Sequence, residues 1–195
     1  MNIRLPERIM MIDGEMSGLN PKKDDLLQFA MLKAVFDKES FQYLVSRNTL
    51  NVFIHSDVKP TKKFHKEHLS ECFKLANASK IDSVKAKALV DEYVGDWWGT
   101  AWPCGDCVTT DLAFAYEKGL FVNNTYDDND VEQKGTLDYR ILEMKPLKAL
   151  AQTFGWEKPK DVLREHDARN DCFNQMAELN HCLAFFRDMY LRGKA

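Results

Sequence analysis

No run of 18 apolar residues occurs in the chain, so no segment is expected to cross a bilayer as a helix. Met1 to Glu7 hold Arg4, Pro6 and Glu7 in place of the apolar stretch of a signal peptide, and the expectation is a cytoplasmic protein with no membrane partner. Excess positive charge is also missing. With 27 Lys and Arg against 30 Asp and Glu, the formal charge is −3 and the pI about 6.0. Proteins that grip long nucleic acid through its phosphates are usually basic overall, so any nucleic acid bound here is expected to be short or held locally through metal. The five cysteines (Cys72, Cys104, Cys107, Cys172, Cys182) are an odd number without an export signal. They read as reduced thiols and not as a disulfide framework. No internal repeat and no linker interrupts the 195 residues, a length that suits one well-buried domain.

What is present is ordinary for a globular protein: 45% apolar and 29% charged residues. Apolar runs rich in β-branched and aromatic residues predict a strand from Arg8, a second over 26–36 after the turn cluster Asn20-Pro21-Lys22-Lys23, and a third over 41–54. That opening is a β-meander. Helices are expected over 62–69 and 83–98, a strand over 100–108, and a helix over 112–118 ended by Gly119. A short strand over 138–142 and a helix over 146–154, ended by Gly155, follow. The clearest helix is the last, where Cys172, Met176, Leu179, Leu183, Phe186 and Tyr190 recur at three and four residues. The acidic stretch 123–135 lacks the glycine and terminal glutamate of an EF-hand and reads as a solvated surface loop. Strands first, then helices interleaved with strands, predict an α/β fold with a mixed central sheet flanked by helices.

The first strand ends in Asp13-Gly14-Glu15. Side chains alternate along a strand, so Asp13 and Glu15 share a face and their carboxylates lie close together. Such a pair is expensive unless a cation or a shared proton neutralises it, and hard divalent cations prefer oxygen ligands. The other reading is a strand that has simply reached solvent. Asp111 stands where a strand gives way to a helix; it is either a third carboxylate at the same sheet edge or a first-turn aspartate favoured by the helix dipole. His166 and Asp171 are five residues apart, about 140° on an ideal helix. They share a target only if Asp167 caps the helix and leaves His166 in the lead-in loop. Four carboxylates and a histidine over three elements are the parts for two-metal phosphodiester hydrolysis.

Asp13-Gly14-Glu15-Met16-Ser17-Gly18-Leu19, Cys104-Gly105-Asp106-Cys107-Val108-Thr109-Thr110-Asp111 and His166-Asp167-Ala168-Arg169-Asn170-Asp171 are similar, in this order, to the three motifs of the DEDDh 3′–5′ exonucleases, and most of all to those of the oligoribonuclease group. Glu67-His68-Leu69-Ser70 and Tyr139-Arg140-Ile141-Leu142-Glu143 resemble two further segments of that group, so the resemblance runs over 9–186. It implies an RNase H-like fold in which Asp13, Glu15, Asp111 and Asp171 bind two Mg²⁺ or Mn²⁺ ions and His166 is the general base. It implies hydrolysis of short single-stranded RNA from the 3′ end to nucleoside 5′-monophosphates, with single-stranded DNA, as in proofreading exonucleases, the alternative substrate. Met16, Ser17, Gly18 and Leu19 would receive the terminal nucleotides, Leu19 as a wedge between bases. His68, Ser70 and Tyr139 would meet the far phosphate and base, Tyr139 at a neighbouring subunit's site in a homodimer. Gly14, Ser17 and Asp106 depart from the family pattern, and Asp106 adds a carboxylate beside the substrate where the family has asparagine.

Two other patterns compete. His65-Lys66-Glu67 with Pro103-Cys104-Gly105-Asp106-Cys107 satisfies the H-x-E…P-C-x-x-C signature of zinc nucleobase deaminases, but that reading leaves the three acidic segments unexplained. A redox pair at Cys104 and Cys107 lacks a surrounding βαβ context. A nucleotide-binding module without catalysis would not require His166 beside an intact acid set.

Overall fold

The computed structural model describes residues 5–126, 132–160 and 166–193. At its centre lies β1 (Arg8–Met16), whose Ile9, Met10, Met11 and Ile12 are wholly buried. An unbroken apolar run belongs to a strand covered on both faces. β1 pairs antiparallel with β2 (Leu26–Asp37), and β2 pairs antiparallel with β3 (Gln42–Phe53). Then come α1 (Lys63–His68), α2 (Ser70–Ala78) and α3 (Ser83–Val94). The chain re-enters the sheet as β4 (Trp102–Gly105), parallel to β1, and leaves it through α4 (Val108–Glu117). A two-stranded ladder, β5 (Thr125–Tyr126) with β6 (Glu132–Gln133), precedes β7 (Leu142–Glu143), which closes the mixed sheet in the order β3-β2-β1-β4-β7. α5 (Met144–Thr153) and the 25-residue α6 (Ala168–Arg192) complete the chain. No helix among the described residues is long and apolar enough to cross a membrane.

Alternation along β1 divides the core. Met10 and Ile12 pack with Val90 and Val94 of α3 and Val108, Leu112 and Phe114 of α4. Ile9 and Met11 face the other way, onto Ala168, Cys172, Met176, Leu179 and Leu183 of α6. Asp13 and Glu15 continue this second set, so the strand period aims them toward the start of α6.

Several expectations change in extent. The helix over 62–69 shortens to α1, and α2 follows it unforeseen, held by Cys72, Phe73 and Ala76 against Leu27 and Phe53. The 83–98 helix stops at Val94 and continues only as a 3₁₀ turn over Gly95–Trp97. The strand over 100–108 is confined to β4, and α4 starts at Val108, where the Cys107 carbonyl accepts the N–H groups of Thr110 and Asp111 at 2.8 and 3.3 Å. Residues 138–140 turn and do not extend: Asp138 Oδ1 accepts from the backbone N–H and the Nε of Arg140, at 2.9 and 2.8 Å. Gly119 (φ +72°) and Gly155 (φ +94°) take the left-handed conformation just after α4 and α5, as helix-ending glycines do. The apolar stripe of α6 leaves the sheet after Leu183, and Tyr190 is exposed. In the acidic stretch 123–135, residues 127–131 lie outside the described residues, and the ends on either side pair as β5 and β6.

Candidate active site

β1, α4 and α6 each bring carboxylates to one place from an element end. Asp13 and Glu15 come from the end of β1, Asp111 from the first turn of α4, and Asp171 from the first turn of α6; Glu15, Asp111 and Asp171 are buried. Their proximity is electrostatically visible at Asp13. Burial first, then the charges of Asp111, Glu15 and Asp171, push its pKa well above the ordinary aspartate value, while a hydrogen bond from Gln175 pulls it back. Gly14 makes room for this. A Cβ there would meet Leu26 and Met16 at 3.0 Å and Asp111 Oδ1 at 3.5 Å.

His166 is placed by the cap of α6. The Asp167 side chain accepts the Asn170 N–H at 2.9 Å, which leaves His166 just outside the helix in a left-handed conformation, φ +52°. Gln28, buried in β2, fixes this entry: its Nε2 donates to Asp167 at 3.0 Å and its Oε1 accepts the Ala168 N–H at 3.2 Å. Donor atoms of Glu15, His166 and Asp171 then lie within 4.8 Å of one another, a set of two carboxylates and an imidazole suited to a divalent cation.

Beside these groups opens a cavity of about 310 Å³ lined by Glu15, Met16, Gly18, Leu19, Lys62, Phe64, His65, Leu69 and His166. Phe64 stands edge-on to His166, ring centroids 5.1 Å apart, and His68 packs against both rings. The structure therefore gathers Met16, Gly18, Leu19 and His68 around the acids, with Leu19 84% exposed at the rim. Ser17 is occupied in the turn that follows β1: its Oγ accepts the Asp25 N–H at 2.8 Å. Ser70 is exposed at the first position of α2. Like Ser17 and Ser70, Tyr139 and Asp106 do not line this cavity. Tyr139 is 72% exposed and lines a separate hollow with Pro103, Leu112 and Tyr116. The Asp106 carboxylate lies 2.6 Å from Lys148 Nζ, which draws it into an ion pair between the β4–α4 loop and α5.

Phe64, Lys62, Gln28 and Gln175 were not singled out from sequence. Gln175 carried a signal, four residues after Asp171 and so on the same face of α6; the others are joined to the site only by the fold. The zinc-deaminase pattern does not assemble: Cys104 is buried in the sheet, and among the described residues the group able to hold a metal contains no cysteine. Cys107 is a free thiol with Lys145 Nζ at 2.6 Å, not half of a disulfide with Cys104.

No family model matches the chain. It is 27% identical to an oligoribonuclease of Baumannia cicadellinicola subsp. Homalodisca coagulata, covering 91% of this chain and 93% of that one. Among solved structures it superposes on exonuclease I from Methylocaldum szegediense with a TM-score of 0.62 at 15% identity, covering 94% of this chain and 43% of that one. For E. coli exonuclease I in complex with a dT13 oligonucleotide the TM-score is 0.63 at 13% identity, with 94% and 42% covered. The chain thus spans less than half the length of these exonuclease I chains, and it shares with them the RNase H-like α/β fold expected from its motifs.

Proposed function

We propose that the chain is a single DEDDh domain, a metal-dependent 3′–5′ exonuclease that degrades short single-stranded RNA to nucleoside 5′-monophosphates. The observation that carries the reading is the convergence of Asp13, Glu15, Asp111, Asp171 and His166 beside one cavity, with the Asp13 pKa raised by burial and then by the other three carboxylates. Buried acids so placed are tolerable when a cation neutralises them. Asp13, Glu15, Asp111 and Asp171 would hold two divalent ions, Mg²⁺ or Mn²⁺, which when bound acidify the attacking water and stabilise charge on the leaving 3′-oxygen. His166, at the cavity edge and fixed by the Asp167 cap, takes the proton from that water. The apolar walls, Met16, Leu19, Phe64 and Leu69, receive the terminal bases, Phe64 offering a ring for stacking and Leu19 an apolar edge to wedge against them. Tyr139, outside this cavity, is left for the site of a second subunit in a homodimer, checked by light scattering.

A specific observation favours one variation. Because His166 lies within 4.8 Å of Glu15 and Asp171 donor atoms, it is also placed to be a ligand in place of a base. RNA is favoured over DNA by the similarity to an oligoribonuclease along nearly the whole of both chains. The test is hydrolysis of 5′-labelled RNAs of two, three and seven nucleotides, with matched DNAs, in Mn²⁺ or EDTA, by wild type and Asp13→Ala. The expected result is metal-dependent removal of nucleoside 5′-monophosphates from the 3′ end, fastest on the shortest RNA and abolished by the substitution. Preference for longer DNA would reassign the substrate, and no cleavage of either polymer would remove the nuclease reading.

A further inference from the structure

We infer that Gln175 is a positioning residue: it orients the Asp13 carboxylate for cation binding, and its own orientation is dictated by the backbone of Asp106. The inference rests on the metal-dependent nuclease reading above. Gln175 is buried, and both ends of its amide are engaged. Its Oε1 accepts the Asp106 N–H at 2.9 Å and its Nε2 donates to Asp13 Oδ1 at 2.7 Å. A backbone N–H is satisfied only by an acceptor, so the Asp106 N–H selects the amide oxygen and rejects the flipped side chain. The NH₂ group is thereby aimed at Asp13, and α6, which supplies Asp171, also holds the carboxylate that β1 supplies.

The loop that sets Gln175 is itself anchored. Asp106 pairs with Lys148 at 2.6 Å, Lys148 reaches Glu178 at 2.5 Å, and Glu178 pairs with Lys158 at 2.6 Å. Asp171, Gln175 and Glu178 recur at four and three residues on the buried face of α6. One helix stripe therefore carries a carboxylate for the site, the orienter of another, and the anchor of the loop that orients the orienter. The carboxylate that departs from the family's asparagine belongs to this anchor through Lys148; what Asp106 contributes toward the site is its N–H.

Partners that orient metal ligands typically change metal affinity about 10–100-fold when removed. The test is calorimetric Mn²⁺ titration of wild type, Gln175→Met and Gln175→Asn, with thermal unfolding in EDTA and steady-state hydrolysis of an RNA trimer. Methionine keeps the volume and removes both polar ends; asparagine stays polar but is too short to span both partners. The expected result is a Mn²⁺ Kd raised about 10–100-fold, with kcat reduced at limiting Mn²⁺, restored at saturating Mn²⁺, and KM unchanged. Wild-type Mn²⁺ affinity in either folded variant would overturn the inference, as would failure of both variants to fold, which would make Gln175 a purely structural residue. A wild-type protein that neither binds Mn²⁺ nor cleaves RNA would instead remove the nuclease reading and leave the geometry of Gln175 untouched.

Discussion

Asp171→Asn should stabilise the metal-free protein and weaken its response to metal. Glu15 and Asp171 are 8% and 4% exposed, and their donor oxygens lie within 4.8 Å. At an effective dielectric of about 20, two unit charges at that separation repel by roughly 3.5 kcal/mol. The amide removes this repulsion and also forfeits the attraction of a carboxylate to the first turn of α6, about 0.3–1 kcal/mol. The repulsion is larger, so the metal-free variant should gain about 2–3 kcal/mol, or ~5–10 °C in Tm for a chain of this size. Asp13 fixes the pH dependence. Its folded pKa lies above its unfolded value, so its contribution to stability is full below about pH 4 and is lost as pH rises from there through the raised folded value. The wild-type Tm in EDTA should fall across that window, and that of the variant, with one repelling partner fewer, should fall less. Excess Mn²⁺ at about a hundred times its Kd would add ~2.7 kcal/mol to the wild type and less to the variant, narrowing or reversing the order. Thermal melts followed by circular dichroism, in EDTA and in Mn²⁺, decide the matter. A variant no more stable than wild type in EDTA would refute the idea that these carboxylates strain one another.

Three further outcomes are expected. His166→Ala should lower kcat by about 10²–10⁴ with Mn²⁺ affinity unchanged in calorimetry; a large loss of Mn²⁺ affinity would mark the imidazole as a ligand with Glu15 and Asp171. Leu19→Ala, at an 84% exposed position, should leave stability within about 0.5 kcal/mol while raising KM for a dinucleotide. An unchanged KM would remove the wedge role. Gly105→Ala would put a Cβ 2.9 Å from the Ile12 carbonyl and 3.4 Å from Gln175 Oε1, so it should destabilise by about 1–3 kcal/mol and weaken Mn²⁺ binding; denaturant unfolding and calorimetry would each contradict this if unchanged.

What could be read from the sequence was whatever is set by local period. Ile9 to Ile12 announce a strand buried on both faces, the two-residue spacing of Asp13 and Glu15 puts them on one side, and the Cys172 to Leu183 stripe marks the helix that faces them. Long-range partners were not legible. The entry to α6 depends on Gln28 in β2, some 140 residues upstream, donating to Asp167 and accepting the Ala168 N–H. α2 has only Cys72, Phe73 and Ala76 to bury, too few for a periodic signal, and gains its cover from Leu27 and Phe53 on two strands. Asp106 shows the same limit at the site: its place in the motif suggests a substrate-facing acid, and only the fold reveals that Lys148 neutralises it.

The acids at the end of β1 raise the question of what holds like charges together before a cation arrives. Asp111 and Asp171 both sit in the first turn of a helix, where the macrodipole favours a carboxylate by about 0.3–1 kcal/mol each. That is well short of the roughly 3.5 kcal/mol of one pair's repulsion, so the helix termini temper the strain and do not remove it. The geometry is instead imposed by anchors outside the cluster: Gln28 on the α6 cap and the Asp106 N–H on the Gln175 amide. Each acts on a helix cap or on the orienter of an acid and not on a charge in the cluster. Loss of an anchor should therefore cost metal affinity more than it costs the fold, whereas loss of an acid should cost affinity while relieving the fold, and melts in EDTA beside Mn²⁺ titrations distinguish the two classes.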